Sequence, residues 1–137
     1  MRKIKLNKVL KGTFLLLATT VLLGFVTSCS SDDDEQSNAA TSHKIVFKAE
    51  ASSGSDIDIA VYGIDGNTTT ATSLAGTTWT STEITAPAGS FSANVAVNAV
   101  GANANSTLKV QIYVDGQLKK EGTSSGQYLS ASANYNF

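Results

Sequence analysis

"LKVQIYVDGQLKKEG", residues 108–122, reads as two strands and the turn between them. Leu108, Val110, Ile112 and Val114 alternate with Lys109, Gln111 and Tyr113. A period of two sends successive side chains to opposite faces of an extended strand, one face buried and the other wet. Asp115-Gly116 then breaks the alternation with residue types that accept positive φ. Two registers compete across this turn. A two-residue type I′ loop would pair Ile112 with Lys119, whereas a three-residue loop with Gly116 as its bulge pairs Ile112 with Leu118 and keeps apolar groups together. The bulged loop is the register expected.

The same period recurs upstream and downstream. Ile45, Phe47, Ala49 and Ala51 alternate with Lys44, Lys48 and Glu50, and Ile57, Ile59 and Val61 alternate with Asp56, Asp58 and Tyr62. Phe91, Ala93, Val95 and Val97 repeat it, as do Leu129, Ala131, Ala133, Tyr135 and Phe137. No helical period competes from His43 onward. Turn-forming clusters at residues 52–55, 65–67, 87–89, 115–116 and 124–126 separate the runs. Short strands at this spacing predict an all-β chain: a small antiparallel immunoglobulin-like β-sandwich of seven or eight strands. Its core is expected to be light and rich in Ala and Val, with Trp79 as the largest single contribution and Phe47, Phe91, Tyr135 and Phe137 beside it.

The first 28 residues have a different character. Arg2, Lys3, Lys5, Lys8 and Lys11 precede an uncharged stretch from Thr13 to Val26 rich in Leu, Val and Phe, the layout of a secretory signal. The apolar run is short for a membrane span, which needs about 20 residues. Val26-Thr27-Ser28-Cys29 then resembles the bacterial lipobox. That resemblance implies diacylglycerol transfer to the Cys29 thiol and cleavage before it, and it accounts for the only cysteine of the chain. The alternative is an ordinary cleaved signal that leaves a free thiol. Two or three acyl chains together hold a protein at a bilayer, at about 0.8 kcal/mol per buried CH₂.

Ser30-Ser31-Asp32-Asp33-Asp34-Glu35 follows, and it resembles the export signal that carries lipoproteins of Bacteroidetes-type bacteria to the cell surface. The resemblance implies an outer-membrane protein facing the exterior; a plain solvated tail is the other reading of such a charge run. Residues 36–42 continue as a polar tether of small residues. The expected division is therefore residues 1–28 as signal peptide, 29–42 as lipidated cysteine and flexible tether, and 43–137 as the folded domain. A flexible tether of this length would set the domain ~20 Å from the bilayer.

Cleavage before Cys29 would remove all five basic residues of the signal and leave five lysines against eleven acids, a net charge of −6. An acidic chain of this kind is not expected to bind nucleic acid, and membrane attachment then rests on the acyl chains.

Residues with catalytic or ligating chemistry are few. His43 is the only histidine; it lies where tether meets first strand and reads as a solvated junction residue. Asp56, Asp58 and Asp65 could supply oxygen ligands to Ca²⁺, but their spacing is not that of an EF-hand, and solvent-facing acids are the simpler reading. Tyr62 and Tyr113 fall on the polar phase of their strands, where they serve either as an exposed platform for sugar stacking or as ordinary cross-strand packing. Asn67-Thr68-Thr69 and Asn105-Ser106-Thr107 match the N-glycosylation pattern, whose machinery is not expected behind a lipobox. No cofactor, no metal site and no enzymatic activity is expected.

Residues 108–126, "LKVQIYVDGQLKKEGTSSG", together with the upstream Trp79, resemble the extracytoplasmic domain of the MmpS family, small β-sandwiches that accompany RND-type exporters. The resemblance implies an accessory role beside an envelope or transporter protein. Two features depart from that family: a lipobox stands where its members carry a transmembrane helix, and their cysteine pair is absent. Gln117, Lys119 and Lys120, polar or basic on an otherwise acidic domain, are the candidate partner contacts. The sequence thus leads to a noncatalytic surface lipoprotein that binds an envelope partner, with a glycan-binding surface module as the alternative and a small hydrolase as a remote third.

Overall fold

A computed structural model describes residues 40–137. The expectations for the signal peptide, Cys29 and the Ser30–Glu35 run lie outside the described residues. From His43 onward the chain forms nine strands: β1 (His43–Ala51), β2 (Asp56–Ile64), β3 (Asn67–Ala71), β4 (Thr78–Thr80), β5 (Ile84–Ala86), β6 (Ser92–Val100), β7 (Thr107–Val114), β8 (Gln117–Ser125) and β9 (Tyr128–Asn136). They build two antiparallel sheets. The first runs β4-β1-β7-β8, with β5 also on β1; the second runs β3-β2-β6-β9. No helix occurs among the described residues.

The strand count exceeds the seven or eight expected. The excess comes from the segment between β3 and β6, rich in Thr and Ser and without clear alternation. Here β4 and β5, three residues each, pair successively with the two halves of β1. Very short strands blunt a sheet edge against pairing with other chains.

The core lies between the sheets. Ile45, Phe47 and Ala49 of β1 and Leu108, Val110, Ile112 and Val114 of β7 face Ala93, Val95, Val97 and Ala99 of β6 and Leu129 and Ala131 of β9. Each of these sets keeps the alternation read from sequence. Full burial of a side chain such as Phe47, the largest one completely enclosed, contributes about 1.5–3 kcal/mol. Trp79 does not fill that role. It sits on the short edge strand β4, is half-buried, and closes the core from one side by packing on Tyr62, whose ring in turn packs on Phe47, with centroids 5.1 and 5.4 Å apart.

β2 departs from its predicted phase. Ile57 pairs with Ala99 but Ile59 pairs with Asn98, so Asp58 is an extra residue in the ladder. A bulge of one residue inverts the facing of everything beyond it. Ile57 therefore points inward, but so do Ala60, Tyr62 and Ile64, while Ile59 and Val61 are only half-buried.

The β7–β8 hairpin also corrects the expectation. Val114 pairs with Gln117 and Tyr113 with Leu118, and Asp115 and Gly116 both have positive φ, 51° and 78°. This is the two-residue type I′ loop. The irregularity sits one pair further on, where Ile112 meets Lys120 and Lys119 is the extra residue. The type I′ turn matches the right-handed twist of the strands it joins, and placing the bulge in β8 leaves Leu118 on the outer face with Tyr113, 46% exposed, rather than against Ile112.

Candidate functional site

The two sheets differ in charge. All five lysines of the folded part, Lys44, Lys48, Lys109, Lys119 and Lys120, lie on β1, β7 and β8 of the first sheet. In the second sheet β3, β6 and β9 contain no acid or base, and β2 contributes Asp56 and Asp58. One outer face is thus ionic and the other carries amides, hydroxyls and small side chains.

The end of the sandwich where β1 begins gathers the candidate partner contacts. His43 Nδ1 lies 2.7 Å from Asp115 Oδ2, and the Lys44 N–H donates to Asp115 Oδ1 at 2.8 Å. The Asp115 N–H donates back to the Lys44 carbonyl, also at 2.8 Å. Asp115 therefore clamps the start of β1 to the hairpin. The hydrogen bond from His43, followed by that from the Lys44 N–H, holds its carboxyl below the ordinary 3.8. His43 is accordingly half-buried rather than a freely solvated junction residue: its ring also stacks on Phe137, centroids 5.3 Å apart and nearly parallel. Among the described residues no hydroxyl hydrogen-bonds to its Nε2, the arrangement a nucleophilic Ser would need.

On the first sheet's outer face beside this end, Leu118 neighbours Tyr113, which lies under Lys48 with the ammonium 4.6 Å from the ring centroid. Lys119 Nζ donates to Gln117 Oε1 at 3.1 Å. Gln117, Lys119 and Lys120 are all exposed, but Gln117 and Lys120 pair with the core-facing Val114 and Ile112, so these two stand on the opposite side of β8 from Leu118. Lys44 pairs closely with Glu83, the residue before β5, which raises the lysine pKa.

The three aspartates considered for Ca²⁺ are not brought together. Asp65 Oδ1 accepts from the N–H groups of Phe91 and Ser92, both at 2.9 Å, at the end shared with His43. Partial desolvation pushes the Asp65 pKa up, but these two N–H groups and the Ser90 hydroxyl outweigh it and lower it below 3.8. Asp56 accepts from the Gly76 N–H at the opposite end of the sandwich. Among the described residues no group of three or more His, Cys, Asp or Glu could hold a metal.

Aromatic exposure is redistributed relative to the sequence reading. Tyr62 is buried through the β2 bulge, and Tyr113 is half-covered by Lys48. Phe91, expected in the core, is 66% exposed because it precedes β6, and Phe137 is 37% exposed. Among the described residues the most exposed aromatic is Tyr128, at 85%, which the sequence reading missed. The available signal was its phase: it stands one residue out of step with Leu129, Ala131 and Ala133.

Tyr128 borders an open depression of about 400 Å³ on the second sheet, shared with Asp58, Asn98, Val100 and Ser130. A larger depression of about 620 Å³ lies on the first sheet between Glu50, Ser52, Thr107, Lys109, Thr123 and Ser124. Its charged groups satisfy each other, since Lys109 Nζ is 3.2 Å from Glu50 Oε2 and the pairing raises the lysine pKa. The smaller depression holds the freer chemistry. No protein-family model matches this chain, and no curated protein matches it.

Proposed function

We propose that this chain is a noncatalytic lipoprotein of the outer membrane, held by acyl chains on Cys29 and carried to the cell exterior by Ser30, Ser31, Asp32, Asp33, Asp34 and Glu35. Its folded part is a binding or accessory module for an envelope or transporter complex, in the manner of MmpS domains. The observation that supports a docking role is the exposed start of β8, where Leu118, 46% exposed, lies on the outer face with Lys48-capped Tyr113 while the neighbouring Gln117, Lys119 and Lys120 are exposed on the same edge strand. Apolar side chains rimmed by cations form the kind of patch that meets an acidic partner surface.

Crosslinking on intact cells followed by pull-down tests this reading. Wild type recovers a defined envelope protein in fixed stoichiometry, and Lys119→Glu with Lys120→Glu lowers that recovery several-fold without changing the melting temperature. Undiminished recovery from the charge-reversed chain removes the interface from this edge strand.

A second reading, a glycan-binding surface module, is favoured by one observation: Tyr128 presents its ring to solvent beside amide, hydroxyl and carboxylate groups.

A further inference from the structure

We propose that the outer face of the β6–β9 ladder binds an uncharged polysaccharide, with Tyr128 as stacking platform and Asn98, Ser130 and Asp58 as hydrogen-bonding groups. The proposal rests on the glycan reading above and gives it a site and a ligand class.

The register places the groups. Val100 pairs with Tyr128 and Asn98 with Ser130, and cross-strand partners share a face. Residues two apart on one strand share it as well, so all four side chains point outward together. Asp58 joins them because it is the extra residue of the β2 bulge, next to the Ile59–Asn98 pair. The depression they line, about 400 Å³, falls within the range of small-ligand sites, about 300–1,000 Å³, and it is open, so a polymer can lie through it.

The chemistry matches a sugar. A pyranose ring offers an apolar C–H face and a rim of hydroxyls; an exposed tyrosine ring accepts the first, and an amide, a hydroxyl and a carboxylate satisfy the second. Further along the same ladder Asn94 and Asn134 hydrogen-bond to each other, whereas among the described residues the side chains of Asn98, Ser130 and Asp58 have no protein partner.

A second depression of about 300 Å³ continues the strip past Ala96 to Asn94, Ser132 and Asn134. From residue 98 to residue 94 the strand advances roughly 13 Å, the reach of a short oligosaccharide rather than of one sugar.

Charge selects among glycans. The second sheet has no cation to pair with carboxylates or sulfates, and the acid that lines the depression with Tyr128 is Asp58. An anionic polymer would meet like charge in the depression; a neutral one meets none.

Affinity electrophoresis of the purified lipoprotein in detergent, through gels containing amylopectin, yeast mannan, laminarin, xylan or polygalacturonate, tests the proposal. At least one neutral polymer is expected to retard the protein and polygalacturonate is not. Tyr128→Ala should weaken the retardation at least tenfold, Asn98→Ala several-fold, and Tyr128→Phe should retain it, all with unchanged circular dichroism. Retardation that survives Tyr128→Ala overturns the site while leaving glycan binding in place. Preference for polygalacturonate overturns the assignment to neutral chains, and no retardation by any polymer overturns both the site and the glycan reading.

Discussion

Replacing Gly122 by alanine isolates the contact that seals one side of the sandwich. In the interior of a strand this change ordinarily stabilises, by roughly 0.5–1 kcal/mol, because glycine loses more backbone freedom on folding. At Gly122 the sign is reversed. A Cβ there would overlap the carbonyl oxygen of Ser132, lie 2.8 Å from that carbonyl carbon and 3.3 Å from Val110 Cγ2. Carbon atoms rest at about 3.5–4.0 Å, so β8 and β9 must part by roughly 1 Å. The obstacle is backbone, which has no rotamer to change. Overpacking of this sort costs about 1–3 kcal/mol and occasionally more; near the upper figure, and net of the propensity gain, the loss is about 2 kcal/mol. For a domain of this size that lowers Tm by roughly 8–16 °C, a large part of a total stability of about 5–15 kcal/mol. Urea unfolding followed by the fluorescence of Trp79, the only tryptophan and packed on Tyr62, reads it. Gly66→Ala is the control: its φ is +82° but a Cβ there meets nothing within 4 Å, so only the left-handed backbone strain of about 1–2 kcal/mol remains. A Gly122→Ala protein as stable as wild type would refute the close approach of β8 to β9.

Cys29→Ala should abolish acylation and release the chain from the membrane fraction; unchanged retention would defeat the lipoprotein proposal. Replacing Asp32, Asp33, Asp34 and Glu35 with Ala should leave the lipid in place but shield the domain from protease added to intact cells, and equal cleavage would reduce the run to a tether. Gly116→Val should lower stability by about 1–2 kcal/mol through left-handed strain alone, since its φ is +78° and the space around it is open, a difference resolved by the urea midpoint. Asp65 and Asp115 have pKa values lowered below 3.8, so the unfolded chain binds more protons than the folded one as pH falls through that region. Their contribution is present at neutral pH and is lost on acidification below about 4; the urea midpoint should drop between pH 5 and pH 2.5, and less steeply in Asp65→Asn with Asp115→Asn.

Strands with an unbroken period of two were legible from sequence: β1, β6, β7 and β9 bury the residues their alternation singles out, because each has one face on the core and one in water. β2 was not, since a one-residue bulge at Asp58 leaves no mark in residue types yet turns Tyr62 inward. Phe91 follows the β6 phase in sequence but stands outside the strand, where Asp65 holds its N–H and alternation no longer dictates facing. The Asp115-Gly116 turn was recognised while its register was not; preference for apolar pairing chose Leu118 for Ile112, and twist compatibility of the type I′ turn outweighed it. At the site level, the proximity of Gln117, Lys119 and Lys120 follows from adjacency in one strand. Charge segregation between the sheets needed the strand order, and the exposure of Tyr128 needed the end of β9 to be located.

Asp115's grip on the start of β1 bears on how the domain carries mechanical load. If the chain is held at Cys29 as proposed, tension enters the fold at His43, the first residue of a strand paired with β7 over seven register positions on one side and with β4 and β5 on the other. A ligand held near Tyr128, at the far end, would pull roughly along the strand axes. The ladders of β1 would then be loaded in shear, all together, rather than opened one bond after another, and the carboxylate across His43 and Lys44 would keep the first pair from peeling. Such a geometry suits a domain that must hold on under load.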